Sequence, residues 1–205
     1  MMDRKINWFG LAAGIITLIV LVISFYVPWW QLTIGENLIK VNASPVNTNF
    51  GLFGTQFTVP LIWALNLISI LTFTASGIVM LIYSLNPTKS YSKHLLGFSY
   101  KKPLYVLIIF VAGLAAITII AGFLGMSIPL MGSTTLSLPT QFMPTGLSIS
   151  ALVSGSFQLP FYLAIAAAAL CIAARLYHKN LAKIPKTETE TAASPTETTA
   201  TSVTA

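Results

Sequence analysis

Two histidines, one cysteine and five carboxylates are the side chains of this sequence best suited to proton, metal or nucleophile chemistry, and their positions keep them apart. His94 and His178 lie on the same side of the long apolar runs and outside them, so they cannot hold a haem between them across a helix bundle. No Asp, Glu, Lys or His occupies the middle of any apolar run, which excludes a dinuclear carboxylate site there. Proton relays, ion-coupled transporters and voltage sensors need such groups at membrane depth, so these classes are excluded as well. Cys171 lies in an apolar run, where burial disfavours the thiolate; alone, it can form neither an intrachain disulfide nor a cysteine metal site. Met80 and Met126 are soft donors in principle, but Met in an apolar run ordinarily fills packing gaps. Gly10-Leu11-Ala12-Ala13-Gly14 and Gly51-Leu52-Phe53-Gly54 are too short and too apolar to cradle phosphate, and no zinc spacing or Ser-His-Asp set occurs. The sequence thus predicts no catalytic residues, no cofactor and no metal.

What polar chemistry the apolar runs retain is hydrogen bonding. Asn66 is the most polar residue near the centre of a run, and a bond to a neighbouring helix is its expected role, with ligand binding as the alternative. Thr72, Thr74, Ser76 and Thr118 are expected to satisfy their hydroxyls on their own helix backbone.

These residues sit on four apolar runs: 9–27, 59–83, 103–126 and 160–177. The first would make a helix about 28 Å long, close to the roughly 30 Å of a bilayer core. It is longer than a usual signal h-region and ends in Pro28-Trp29-Trp30 rather than small residues, so it reads as a retained span. Trp8 at one end, with Tyr26, Trp29 and Trp30 at the other, would anchor it at the two interfaces. Hydrophobic residues make up 55% of the chain and charged residues only 8%, too little polar surface for a water-soluble globule. Pro60, Pro103 and Pro160 lie at span starts, where a missing amide hydrogen costs nothing.

Of the eleven Lys and Arg, all but Lys40 fall in 1–8, 84–102 or near and beyond the end of the fourth run, where Arg175 can snorkel. Retention of cations in the cytosol predicts a multi-pass integral protein of the cell membrane with both termini and the 84–102 connection cytosolic. Its net charge of +6 then reads as attraction to the lipid bilayer's anionic head groups and not to nucleic acid. The cytosolic tail 178–205 is rich in Ser, Thr and Glu beyond about 187 and is expected to be disordered from there on.

The two outer connections, 28–58 and 127–159, are long for structureless links. Trp30 to Ile34 alternates, Gly35-Glu36-Asn37 supplies a turn and Leu38 to Asn42 follows, the pattern of a β-hairpin. Thr135 to Leu138 and Gly146 to Ser150 alternate too, although the latter could form a short interfacial helix with Ala151-Leu152-Val153. Segments so short cannot fold alone, so they are expected to pack together as a small, mostly β outer cap on an all-α, four-transmembrane-helix bundle. That cap is nearly uncharged, which fits burial against another subunit, an acidic exterior, or chance. Asn42-Ala43-Ser44 is a glycosylation sequon on the outer side and permits a glycan at Asn42. Gly10 and Gly14 in the first run, and Gly113, Gly122 and Gly125 in the third, are candidate helix-packing positions, because small residues let helices approach closely.

Trp29-Trp30 after the first span, and Asn49-Phe50-Gly51-Leu52-Phe53 further on, make this layout similar to the claudin and peripheral-myelin-protein class of tetraspan proteins. In that class a Trp early in the first outer loop precedes a Gly-Leu-Trp element. The resemblance implies cytosolic termini, a small extracellular sheet built from both outer loops, and adhesion, barrier or assembly work. Here no cysteine pair follows, the final aromatic is Phe, and the charged loop pattern used for pores is missing. Three functions remain open: a non-catalytic tetraspan protein contacting other membrane proteins or itself; a small accessory subunit of a larger membrane complex such as a respiratory or oxidising enzyme; and a transporter or channel for an uncharged solute using Asn66 and the hydroxyls of the second and third spans.

Overall fold

The computed structural model describes residues 6–35, 38–87, 89–123, 125–137 and 150–183. Within these lie five helices, α1 (Trp8–Ser24), α2 (Pro60–Leu85), α3 (Ser92–Ser99), α4 (Lys101–Phe123) and α5 (Leu159–Lys183). Six strands accompany them: β1 (Trp30–Ile34), β2 (Ile39–Ala43), β3 (Asn49–Leu52), β4 (Thr55–Phe57), β5 (Gly132–Ser137) and β6 (Ser150–Phe157). Three helical stretches are long and apolar enough to cross a membrane, Pro60–Leu85, Ser92–Phe123 and Leu159–Asn180; α1, at 17 residues, is a shorter apolar helix of about 26 Å. The Gly35-Glu36-Asn37 turn in part, Gly146 to Ile149 and the tail beyond 183 lie outside the described residues.

α1 is the central helix and packs along both α2 and α5. Its start is fixed by Asn7, whose side chain accepts the Gly10 amide, and α2 begins on Pro60. Gly14 and Gly77 let α1 and α2 cross closely: a Cβ on Gly14 would stand 2.8 Å from Leu81, and one on Gly77 would stand 2.7 Å from Leu18. α4 has no such partner and leaves most of its surface uncovered. The 84–102 segment is more than a turn, since α3 fills it and is fastened to α2 where Ser76 donates to the Ser99 carbonyl at 2.8 Å. Ser76 therefore bonds across helices, while Thr74 and Thr118 return to their own helix at 2.8 and 2.9 Å.

The strands form one antiparallel sheet in the order β4-β3-β2-β1-β6-β5. β1 pairs with β2 from Trp30↔Ala43 to Ile34↔Ile39 and with β6 from Trp30↔Phe157 to Ile34↔Val153. The sheet thus joins the segment after α1 to the segment before α5. Ala151 to Val153 belong to β6, not to an interfacial helix, because β1 and β5 take up their backbone groups on both sides. The strand period of two puts Trp30, Leu32, Val41 and Val153 on one face, where they form a core with Leu114 of α4. Gln31, Thr33, Asn42, Ser154 and Ser156 fall on the other. Gly155 is obligatory at its place, since a Cβ there would lie 2.1 Å from the Pro129 carbonyl oxygen.

Candidate functional site

Charge and sheet occupy opposite ends of the helices. The N-terminus of α1 meets the C-terminal end of α2 and the later turns of α5, and α3 lies at this same end. Lys89, Lys93, Lys101, Lys102, Arg175 and Lys179 belong to it. Arg175 stacks over the Tyr100 ring at 4.3 Å and donates to its hydroxyl. The sheet caps the other end and carries only Lys40 among the described Lys and Arg.

At the sheet margin, β3 and β4 turn through Phe53 and Gly54, with φ of 49° and 83°. Two left-handed residues in succession are the signature of a type I′ hairpin turn, for which Asn-Gly is the favoured pair. Phe in that position is disfavoured by about 1–2 kcal/mol, because its Cβ crowds the following carbonyl. The ring is 75% exposed all the same. Leu38 and Leu52 are exposed beside it, and the Phe53 amide donates to the Leu38 carbonyl at 2.8 Å. β4 next to it is an edge strand exposed along its whole length. By register, this tip lies at the Ile34, Ile39 and Leu52 end of the strands, away from the Trp30 and Phe157 end that adjoins the helices.

A second feature is a cavity of about 560 Å³ between α2 and α4. Asn66, Ser69 and Thr72 of α2 and Lys102, Tyr105 and Gly113 of α4 line it, and Ala43, Pro45 and Thr48 close it on the sheet side.

The predicted residues divide sharply. Asn66 is buried and bonds to no helix: in the orientation that satisfies both halves of its amide, it donates to the Pro45 carbonyl at 3.3 Å and accepts from the Thr48 amide at 2.9 Å. Gly10 and Gly14 stand in the α1–α2 contact, whereas Gly113, Gly122 and Gly125 have open space where a Cβ would go. Trp8 is exposed, as an interface anchor would be, but Trp29 and Trp30 are 0% and 3% exposed and belong to the core. Trp29 packs edge-on against Phe73, Phe110 and Phe161, and Trp30 donates its indole N–H to the Leu130 carbonyl at 2.8 Å. Asn42 lies in β2, between β1 and β3, and its sequon partner Ser44 is 2% exposed, a poor substrate for glycan transfer. Met80 is buried beside the Ser99 hydroxyl, and Cys171 is buried in the same cluster. Among the described residues no group of three or more His, Cys, Asp or Glu could hold a metal.

Sequence reasoning missed Asn7 and Gly77. Asn7 carried a readable signal, an N-cap residue just before an apolar run; Gly77, alone in its run, carried none. Comparison with known proteins finds no family model and no curated protein that matches this chain.

Proposed function

We propose that this is a non-catalytic, four-span membrane protein that works through protein contacts made by the β3–β4 end of its cap. Phe53 carries the reading. A chain under no demand at that turn gains stability from Asn or Gly, so a strained and exposed Phe marks a surface kept for something else. Exposed apolar side chains on a water-facing sheet, next to an uncapped edge strand, are the ordinary makings of a partner site. The segregation of Lys and Arg to the far end of the helices supports a cytosolic placement for that end and an outer placement for the sheet. A sheet joining both connections is also what the claudin-like resemblance implies, and adhesion or assembly is the work that goes with it.

The test is Phe53→Asn. The variant suits a type I′ turn and should be at least as stable as the parent in mild detergent, yet lose the membrane proteins that co-purify with the parent. Retention of the same partners in the same stoichiometry would overturn the proposal. The largely uncovered surface of α4 favours a second reading, an accessory subunit of a larger membrane complex. Redox subunits that co-purify in fixed ratio with parent and variant alike would select it.

A further inference from the structure

The cleft between α2 and α4 has a polarity gradient that neither proposed contact surface explains. At one end Lys102 lines the wall, its ammonium 5.3 Å from the Phe98 ring, with Lys101 next to it. Tyr105 follows one turn along α4, and Thr72 lines α2. At the other end the Asn66 amide donates to the Pro45 carbonyl and accepts from the Thr48 amide. Between the ends the walls are chiefly aliphatic, and Gly113 leaves open space where a side chain would stand.

We propose that this cleft binds one acyl chain of an anionic membrane lipid, with the phosphate of its head group at Lys102 and the chain lying along Gly113 toward the cap. Three properties select this occupant. The charge sits at one end only, which suits an amphiphile. The one amide in the cleft already bonds to Pro45 and Thr48, so an uncharged polar solute would depend on the scattered hydroxyls of Ser69, Thr72 and Tyr105. The α4 wall from Lys102 to Ile117 is about 22 Å long, more than half of a hydrocarbon core of roughly 30 Å. An extended chain from one leaflet therefore fits within it. A phosphate on a lipid and a free phosphate would present the same charge to Lys102, but only the lipid fills the aliphatic part.

The experiment uses the full chain in nanodiscs of phosphatidylcholine with or without phosphatidylglycerol. Gly113→Cys, a small change into open space, carries a benzophenone maleimide; the native Cys171 is buried and remains unlabelled. Irradiation should give an adduct with the mass of a lipid, favouring phosphatidylglycerol over phosphatidylcholine by about fivefold, as one basic residue near an anionic head group warrants. Adding Lys102→Gln should abolish the preference and leave the acyl adduct, while Lys179→Gln should leave both unchanged. Soluble glycerol phosphate in excess should not compete. A polypeptide adduct would assign the cleft to a partner helix and overturn the proposal. So would absence of any lipid adduct, a preference that survives Lys102→Gln, an equal loss in Lys179→Gln, or competition by glycerol phosphate.

Discussion

Asn7 donates its side-chain amide to the Tyr83 hydroxyl at 2.8 Å, and both residues are fully buried although 76 positions separate them. The same amide reaches the Ala174 carbonyl at 3.2 Å, and the Asn7 oxygen caps α1 on the Gly10 amide at 3.1 Å. One short side chain therefore fastens α1 to α2 and α5 at the basic end. Removing it leaves several buried polar groups without partners, and each lost bond or cap is worth about 1 kcal/mol or more. Asn7→Ala should lower stability by about 2–4 kcal/mol, measured by unfolding in mild detergent. Asn7→Ser keeps an uncharged cap acceptor and gives up the amide donor to Tyr83 and Ala174, so it should fall between parent and Asn7→Ala. Equal stability of all three would remove the fastening role.

The α1–α2 crossing gives a paired expectation. Gly77→Leu forces a side chain into Leu18 and the Gly14 backbone, an overpacking that ordinarily costs about 1–3 kcal/mol. Gly113→Leu meets open space, and its effect on stability in detergent should stay within about 0.5 kcal/mol. Thermal unfolding of both variants separates an internal helix contact from a surface glycine. Matching losses would show that α4 is packed through Gly113 after all.

Continuous apolar runs made the helices legible, and strict alternation from Trp30 to Ile34 marked a strand that the structure places in full. The sequence did not reveal how the connections fold back. Trp29 and Trp30 border an apolar run, which on local grounds suits a bilayer interface; the fold buries them instead, Trp29 among Phe73, Phe110 and Phe161 of three helices and Trp30 between the sheet and Leu114, long-range contacts that no local pattern shows. Asn66 misled for the same reason, since its partners lie in a loop that a helix-by-helix reading leaves in water. α3 was hidden because Ser92 to Ser99 is short and mixed in polarity. Gly113, Gly122 and Gly125 had the composition of a contact without the contact, as small residues reveal where a helix can approach and not whether one does. The Phe53-Gly54 turn was within reach of sequence reading, but its significance depended on a backbone angle.

Asn42 offers a test on the cap. Its side-chain oxygen is buried and has no protein hydrogen-bond partner among the described residues. Asn42→Thr removes that carbonyl and places a β-branched residue in a strand interior, where it packs well. The variant should be more stable than the parent by about 1 kcal/mol in denaturant unfolding. Expression of the parent in a host that glycosylates should add no glycan mass at this position, since Ser44 is buried and β2 is paired on both sides. A glycan on most molecules would mean that this strand pairs only after modification, or not at all.

Trp29 joins the cap to the helices, and its partner Ser24 makes the joint testable. The indole N–H donates to the Ser24 hydroxyl at 2.7 Å, and that hydroxyl donates to the Val20 carbonyl at 2.6 Å. The Trp29 amide donates to the Ala43 carbonyl and its own carbonyl accepts from Gln158, which binds the residue to β2 and to the entry of α5. Ser24→Ala leaves a buried indole N–H without an acceptor and should cost about 1–3 kcal/mol. Trp29→Phe removes the donor and part of the ring that touches Phe73, Phe110 and Phe161. In the double variant neither polar group remains to be left unpaired, so the combined loss should be smaller than the sum by about 0.5 kcal/mol or more. Strict additivity would show that the two side chains act independently, and the cap would then rest on the helices through apolar packing alone.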